Sequence, residues 1–217
     1  MEIRNLIIII ISVLMVILGF YVLFRNLKNK LNISFFVLSI SASFWLGSSG
    51  IGESLLWVKI SYLSAILSCI GFFYFAQYFP FQKYKVTKYI HLLFFLSTVA
   101  FTYFLFATNL FIKDASDSKE LIVNVGIIYI IFNFYFLLIW IIGFYIIVQK
   151  YKTADGIHKW QLKNFLIAIS IAFLGGLITN IIFPWILNIW DYYWLGPIFI
   201  VSLLWYAGYL LFRMKFK

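Results

Sequence analysis

Asn180 and Pro184 lie four residues apart in an apolar stretch, and together they could expose groups that bind a ligand. Proline has no amide hydrogen, and its ring clashes with the carbonyl four residues earlier, which here belongs to Asn180. One residue would then offer both a freed carbonyl and a side-chain amide. Unpaired polar groups in apolar surroundings are costly, so a neighbouring helix, water or a ligand must satisfy them. The pair therefore predicts a helix kink at Pro184 and a hydrogen-bonding position at Asn180.

Further polar and aromatic side chains are candidates for the same binding site. Asn133 lies near the centre of another apolar stretch, where its amide needs either an interhelical hydrogen bond or a ligand. Charged residues also occur among aromatic rings near the ends of the apolar stretches. Such rings are typical interface anchors, although a rim of rings and charges could also admit an amphipathic molecule. The candidate ligand-binding residues are Asn180, Glu53, Lys59, Trp194, Asp191 and Asn133.

Sequence motifs of catalysis are missing from the chain. It has no phosphate-cradling glycine loop, no HExxH motif and no Gly-x-Ser-x-Gly motif. His158 has no acidic neighbour that would mark a phospho-acceptor, and Cys69 is the only cysteine, so no internal disulfide can form. A retinal-binding protein would need a lysine in the last apolar stretch, and residues 196–212 contain none. We therefore expect no enzymatic activity, no cofactor and no metal site.

The composition indicates a helical membrane protein. Of the 217 residues, 65% are hydrophobic and 11% are charged, against about 25% charged in soluble domains. About 20 apolar residues span a bilayer core that is about 30 Å thick. Hydropathy predicts seven such spans, near residues 5–24, 31–51, 56–80, 89–108, 123–148, 164–187 and 196–212. We expect an all-α, seven-transmembrane-helix bundle that occupies residues 1–217 as a single domain.

The basic residues predict the orientation of this bundle, because Lys and Arg in short loops stay on the cytoplasmic side. Thirteen of the 17 basic residues follow the first, third, fifth and seventh spans, whereas six of the 7 acidic residues lie on the other side. The N-terminus is therefore expected outside and the C-terminus in the cytoplasm, with the chain in the cell inner (plasma) membrane. The net charge of +10 then reflects topology and attraction to the lipid bilayer, and we expect no nucleic-acid partner.

Small residues four positions apart predict close helix packing in three spans. The isoleucines in the outer half of the first span offer no such face and are expected to face lipid. We expect the ligand site between the outer halves of the second, third, sixth and seventh spans, which the small residues draw together. The rows are Ser39, Ser43 and Gly47 in the second span, Ser61, Ala65 and Cys69 in the third, and Ala168, Ala172 and Gly176 in the sixth, followed by Asn180.

Scattered apolar, aromatic, Asn, Gly and Pro positions along the whole chain resemble one family, the seven-transmembrane sensor region at the N-terminus of bacterial and archaeal histidine kinases. In that family the region precedes a dimerisation-and-phosphotransfer helix pair and an ATP-binding domain. The resemblance therefore implies a homodimer and a cytoplasmic kinase or output domain as partners. The chain stops at Lys217, just after the last span, so autokinase activity is not expected in it. The positions that carry the resemblance are Asn32, Phe35, Phe44-Trp45, Glu53, Leu56-Trp57, Tyr62 and Phe75-Ala-Gln-Tyr-Phe in the first half, and Gln161-Leu-Lys-Asn-Phe-Leu, Gly175-Gly176, Asn180, Pro184, Leu195-Gly196-Pro197, Tyr209 and Arg213 in the second.

We interpret the sequence as a sensor or receptor module of a two-component system, which detects a small apolar or amphipathic signal and transmits it to the cytoplasmic side. A small-solute or lipid transporter is the alternative, since seven helices and a kinked sixth span are compatible with it. The sequence shows neither charged groups near the membrane midplane nor duplicated halves, which transporters often have. A structural membrane subunit is a third interpretation.

Overall fold

The computed structural model describes residues 3–51, 54–116, 122–187, 189, 192 and 194–213. Within these residues, seven helices correspond to the seven predicted spans. The last turns of the sixth span, Ile178–Ile186, are π-helical and continue α6. The elements are α1 (Ile3–Arg25), α2 (Lys30–Ile51), α3 (Leu55–Tyr78), α4 (Lys88–Ala107), β1 (Ile112–Ser116), β2 (Ile122–Val125), α5 (Ile127–Thr153), α6 (Gly156–Leu177) and α7 (Leu195–Arg213).

The outer faces of the helices are apolar, as in membrane spans. Within the part of the chain that the structure describes, six helices are long and apolar enough to cross a bilayer, and α7 is apolar over Ile198–Leu211. Large side chains such as Ile10, Phe95 and Phe134 remain at least half exposed. Soluble proteins rarely leave so much contiguous apolar surface uncovered, whereas lipid tails would cover it. The chain is a multi-pass membrane protein.

α2 packs between α1 and α3 and also contacts α7. The hydroxyl of Ser43 donates a hydrogen bond of 2.7 Å to the carbonyl of Ser12 in α1. A Cβ added at Gly71 of α3 would lie 3.0 Å from the backbone of Leu38 in α2. Ser12 and Ser43 therefore let α1 and α2 approach each other closely, and Gly71 lets α3 approach α2.

α1 is not wholly turned towards lipid. Ile7 and Ile10 are about half exposed, but Ile8 is fully buried, and its side chain touches the position that a Cβ at Gly50 would occupy. The expectation that all these isoleucines face lipid is wrong for Ile8, because the helix turns this residue towards α2.

Two span boundaries differ from the hydropathy prediction. α5 begins at Ile127 rather than 123, because residues 122–125 form the second strand of an antiparallel hairpin with β1. α6 begins at Gly156 rather than 164. Its first two turns are helical but polar, so hydropathy does not detect them.

The two ends of the bundle differ in chemistry. We call the end where α1, α3, α5 and α7 finish and α2, α4 and α6 begin the basic end. Its connections carry the lysines and arginines of the predicted cytoplasmic side. The opposite end carries the β1–β2 hairpin, and we call it the hairpin end. Gly126 joins the hairpin to α5 and lies so close to the carbonyl of Leu110 that a Cβ would not fit.

Candidate functional site

The sixth span changes from α-helical to π-helical turns at Ile178. Near its end, the amide of Leu187 donates to the carbonyl of Ile182, five residues earlier, at 3.2 Å. In π-helical turns a carbonyl pairs with the amide five residues later. The carbonyl of Asn180 can therefore pair with the amide of residue 185 instead of Pro184, which has none. Where the sequence predicted a kink at Pro184, the structure has wide turns, and such turns are frequent at functional sites.

Asn180 is half-buried and fits against the start of α7. Its Nδ2 donates to the carbonyl of Gly176 in its own helix at 3.1 Å. A Cβ added at Gly196 would overlap the side-chain amide of Asn180. Glycine at position 196 therefore lets α7 approach the amide this closely.

Gly175 and Phe199 form a second complementary pair between α6 and α7. A Cβ added at Gly175 would lie 2.6 Å from the ring of Phe199, whereas a Cβ added at Gly176 would have no neighbour within 4 Å. The prediction that the row Ala168, Ala172, Gly176 and Asn180 packs closely is wrong at Gly176, because the helix turns Gly175 towards α7 instead. We call Gly175, Asn180, Gly196 and Phe199 together the α6–α7 contact.

Trp194 lies close to this contact, whereas Lys59 lies elsewhere. Trp194 precedes Gly196 by two residues and packs half-buried against the main core. The ammonium of Lys59 in α3 lies 5.8 Å from the ring centroid of Phe106 in α4. The structure thus places Asn180 against Gly196, two residues after Trp194 in the chain, and turns Lys59 towards α4.

The remaining predicted site residues lie in α5 or outside the described residues. Asn133 donates to the carbonyl of Tyr129, in its own helix, at 2.8 Å. This bond gives one donor of the amide a partner within its own helix. Glu53 and Asp191 lie outside the described residues.

Aromatic rings fill the space between α3, α4 and α5 near the hairpin. The ring centroids of Phe111, Tyr129 and Phe132 lie 5.4, 5.3 and 5.7 Å from that of Tyr62. Phe111 is fully buried, and Phe132 is nearly so. This cluster is packed core, and it fixes the hairpin to the bundle.

Lys150 is an important residue that sequence reasoning missed. Lys150 follows the fifth predicted span and was therefore expected among the cytoplasmic loop residues, yet its side chain is fully buried. Its ammonium donates to the carbonyls of Ala76, Gln77 and Phe79 at 2.7, 2.7 and 2.9 Å. These carbonyls lie where α3 ends, and the last carbonyls of a helix have no helical partners and carry partial negative charge. Lys150 of α5 therefore caps α3.

Lys83 makes the reciprocal connection. Its ammonium donates to the carbonyl of Gln149 at 3.1 Å and to the hydroxyl of Thr153 at 3.0 Å. The loop after α3 thus binds the end of α5, while α5 binds the end of α3. We call Lys83 and Lys150 with their acceptors the lysine clasp. The available sequence signal was the position of Lys150 within the last helical turns, two residues after the apolar run 134–148.

The chain matches a family model, described as the N-terminal 7TM region of histidine kinase, over residues 7–216. No curated protein and no solved structure was found to match it at a significant level. The matched range includes the α6–α7 contact and the lysine clasp and extends over nearly the whole length of the chain. The resemblance predicted from the sequence is therefore confirmed: the chain belongs to the family of N-terminal seven-transmembrane regions of histidine kinases.

Proposed function

We propose that this chain is a single sensor domain that detects a small apolar or amphipathic molecule from the outer side of the membrane and passes a conformational change to a cytoplasmic kinase or output domain. The observation that carries this proposal is the α6–α7 contact at a π-helical segment. Family membership supports a non-catalytic input role. The class of signal and the route of transmission are proposed from the geometry of that contact.

A sensor needs an element with two arrangements that a signal can favour unequally. The π-helical end of α6 is suited to this role, because a return to α-helical turns would rotate the residues beyond it relative to α7. Asn180 would then leave Gly196, where the missing side chain makes room for its amide in the present arrangement.

A displacement of α7 would reach the basic end through the core. α7 contacts α1 and α2 as well as α6, and Leu204, Ala207 and Leu210 are almost completely buried. Closely packed side chains cannot move independently, so a shift at Gly196 would be passed along α7. This geometry supports transmission along the last helix towards the cytoplasmic side.

We place the signal beside Asn180 and Trp194. Asn180 supplies a polar group within apolar surroundings, and Trp194 supplies a half-buried ring near the same end of α7. Lys59 lies against α4 instead, so in this proposal it contributes at most to the charge of the rim. A small amphipath could place its head group at Asn180 and its apolar part along the lipid-facing side of the α6–α7 contact.

The proposal can be tested with the purified chain in lipid nanodiscs. The probes are octanol, decanoate and decylamine, which share an apolar chain and differ in head-group charge. We expect saturable thermal stabilisation by at least one probe. Asn180→Leu should weaken its affinity by about tenfold, as the loss of one buried hydrogen bond would. Asn133→Leu is the matched control, because Asn133 makes the same type of bond to its own helix.

Equal binding by Asn180→Leu and the parent chain would contradict the proposed site. Absence of saturable stabilisation by all three probes would count against an amphipathic signal. Vesicles that contain the chain should show no protein-dependent uptake of decanoate and no scrambling of a fluorescent phospholipid. Protein-dependent transport would favour the transporter interpretation.

A further inference from the structure

A groove of about 470 Å³ lies at the basic end of the bundle. It is formed where α3 ends, where α2 and α4 begin and where the loop 79–87 crosses between them. The described residues that line it include three lysines and a histidine but no carboxylate. They are Lys30, Tyr78, Gln82, Lys83, Tyr84, Lys85, Val86 and His91.

Several of these side chains are already held in position. Lys83 is fixed by the lysine clasp, and the ammonium of Lys30 lies 5.9 Å from the ring centroid of Tyr78. His91 is oriented by its contact with Tyr74, whose hydroxyl lies 2.5 Å from Nδ1. The ring is also stacked on Tyr74. The groove therefore presents several cationic groups, of which Lys83 is held by the clasp, together with a His91 ring that Tyr74 orients before any ligand arrives.

Phosphate is the anion that best fits this chemistry, since several ammonium groups can each donate to a different phosphate oxygen. The surface next to the groove favours a lipid as the source of such a phosphate. Phe95 lies one turn beyond His91 on α4 and is 65% exposed, and Val99, one turn further, is 50% exposed. An apolar face thus leads from the groove along a membrane span. A lipid could place its acyl chains on this face and its head group in the groove.

We propose that the groove binds the phosphate of an anionic phospholipid in the leaflet at the basic end. Lys30, Lys85 and His91 contact the head group, and the exposed face of α4 contacts the acyl chains. Because the groove joins α2, α3 and α4, the bound lipid holds these three helices together. This site is independent of the proposed signal site at Asn180.

The test measures lipid retention by native mass spectrometry on the purified chain, with phosphatidylglycerol and phosphatidylcholine as competing probes. Phosphatidylglycerol should be retained preferentially. Lys30→Gln and Lys85→Gln should each lower its retention by about fivefold, a typical effect of one lysine near an anionic lipid surface. Lys152→Gln is the matched control, because Lys152 is exposed at the same end but does not line the groove.

A second variant separates a shaped site from general attraction. Val86→Trp fills the groove without changing its charge and should also lower retention of phosphatidylglycerol. An equal loss in Lys152→Gln, or unchanged retention in Val86→Trp, would overturn the proposal in favour of diffuse electrostatic attraction. Inorganic phosphate is added as a third probe, to compete with the lipid for the groove. It should not displace the lipid at millimolar concentration, and displacement would assign the groove to free phosphate instead. Circular dichroism checks that each variant is folded.

Discussion

Replacement of Lys150 by methionine should strongly destabilise the bundle. The substitution removes an ammonium that donates to three carbonyls at the end of α3 but keeps the side-chain volume similar. The packing term is therefore small, and the effect reports mainly on the hydrogen bonds.

The size of the effect follows from opposing terms. A hydrogen bond to a charged group contributes about 1.5 to 3 kcal/mol, and a cation at a helix C-terminus adds about 0.3 to 1 kcal/mol. Burial of the ammonium costs several kcal/mol, which the methionine variant no longer bears. We expect a net loss of about 3 kcal/mol in the free energy of unfolding, because three carbonyls at the end of α3 lose their donor.

The assay is reversible unfolding in mixed micelles of a non-ionic detergent and sodium dodecyl sulfate, followed by circular dichroism. Lys152→Met is the matched control, since Lys152 lies two residues later and is exposed. It should change the unfolding free energy by no more than about 0.5 kcal/mol. Amide hydrogen exchange should also accelerate near Phe79 in the Lys150→Met variant. Equal stability of the two variants would refute the capping role of Lys150.

Two further predictions concern the glycine pair and the topology. Gly175→Ala should lower the free energy of unfolding by about 1 to 3 kcal/mol, because the new Cβ meets the ring of Phe199. Gly176→Ala should be neutral or slightly stabilising, because the new Cβ lies in open space and alanine has the higher helix propensity. Equal effects of the two substitutions would contradict the orientation of α6. For topology, a reporter that is active only outside the cytoplasm should be active when inserted at Asp117 and inactive when fused after Lys217, and the reverse pattern would reject the predicted orientation.

The sequence predicted the seven helices because each is an apolar run of nearly the right length. It could not place the start of α6, whose first turns are polar and carry no hydropathy signal. It also could not identify the hairpin strand 122–125, where an apolar run leads directly into α5. Hydropathy measures only transfer to lipid, so it does not distinguish strand from helix in such a run.

The candidate site was predicted only in part, and the reason lies in how side chains are oriented. Spacing predicted Asn180 as a candidate, but it could not tell that Gly175 rather than Gly176 faces α7, since adjacent residues differ by about 100° around a helix. Lys150 was misassigned because a lysine near a helix end usually extends to the interface. Its burial depends on three carbonyls from α3, which no local pattern reveals.

The central claim, that the α6–α7 contact controls an output, can be tested in a chimera of this chain with the cytoplasmic part of a histidine kinase. Asn180→Leu and Gly196→Ala both disturb the contact, so both should change the basal autophosphorylation rate by roughly threefold or more, and in the same direction. Asn133→Leu should leave the rate at the parental value. Parental rates in both contact variants, with normal folding and membrane insertion, would contradict the account.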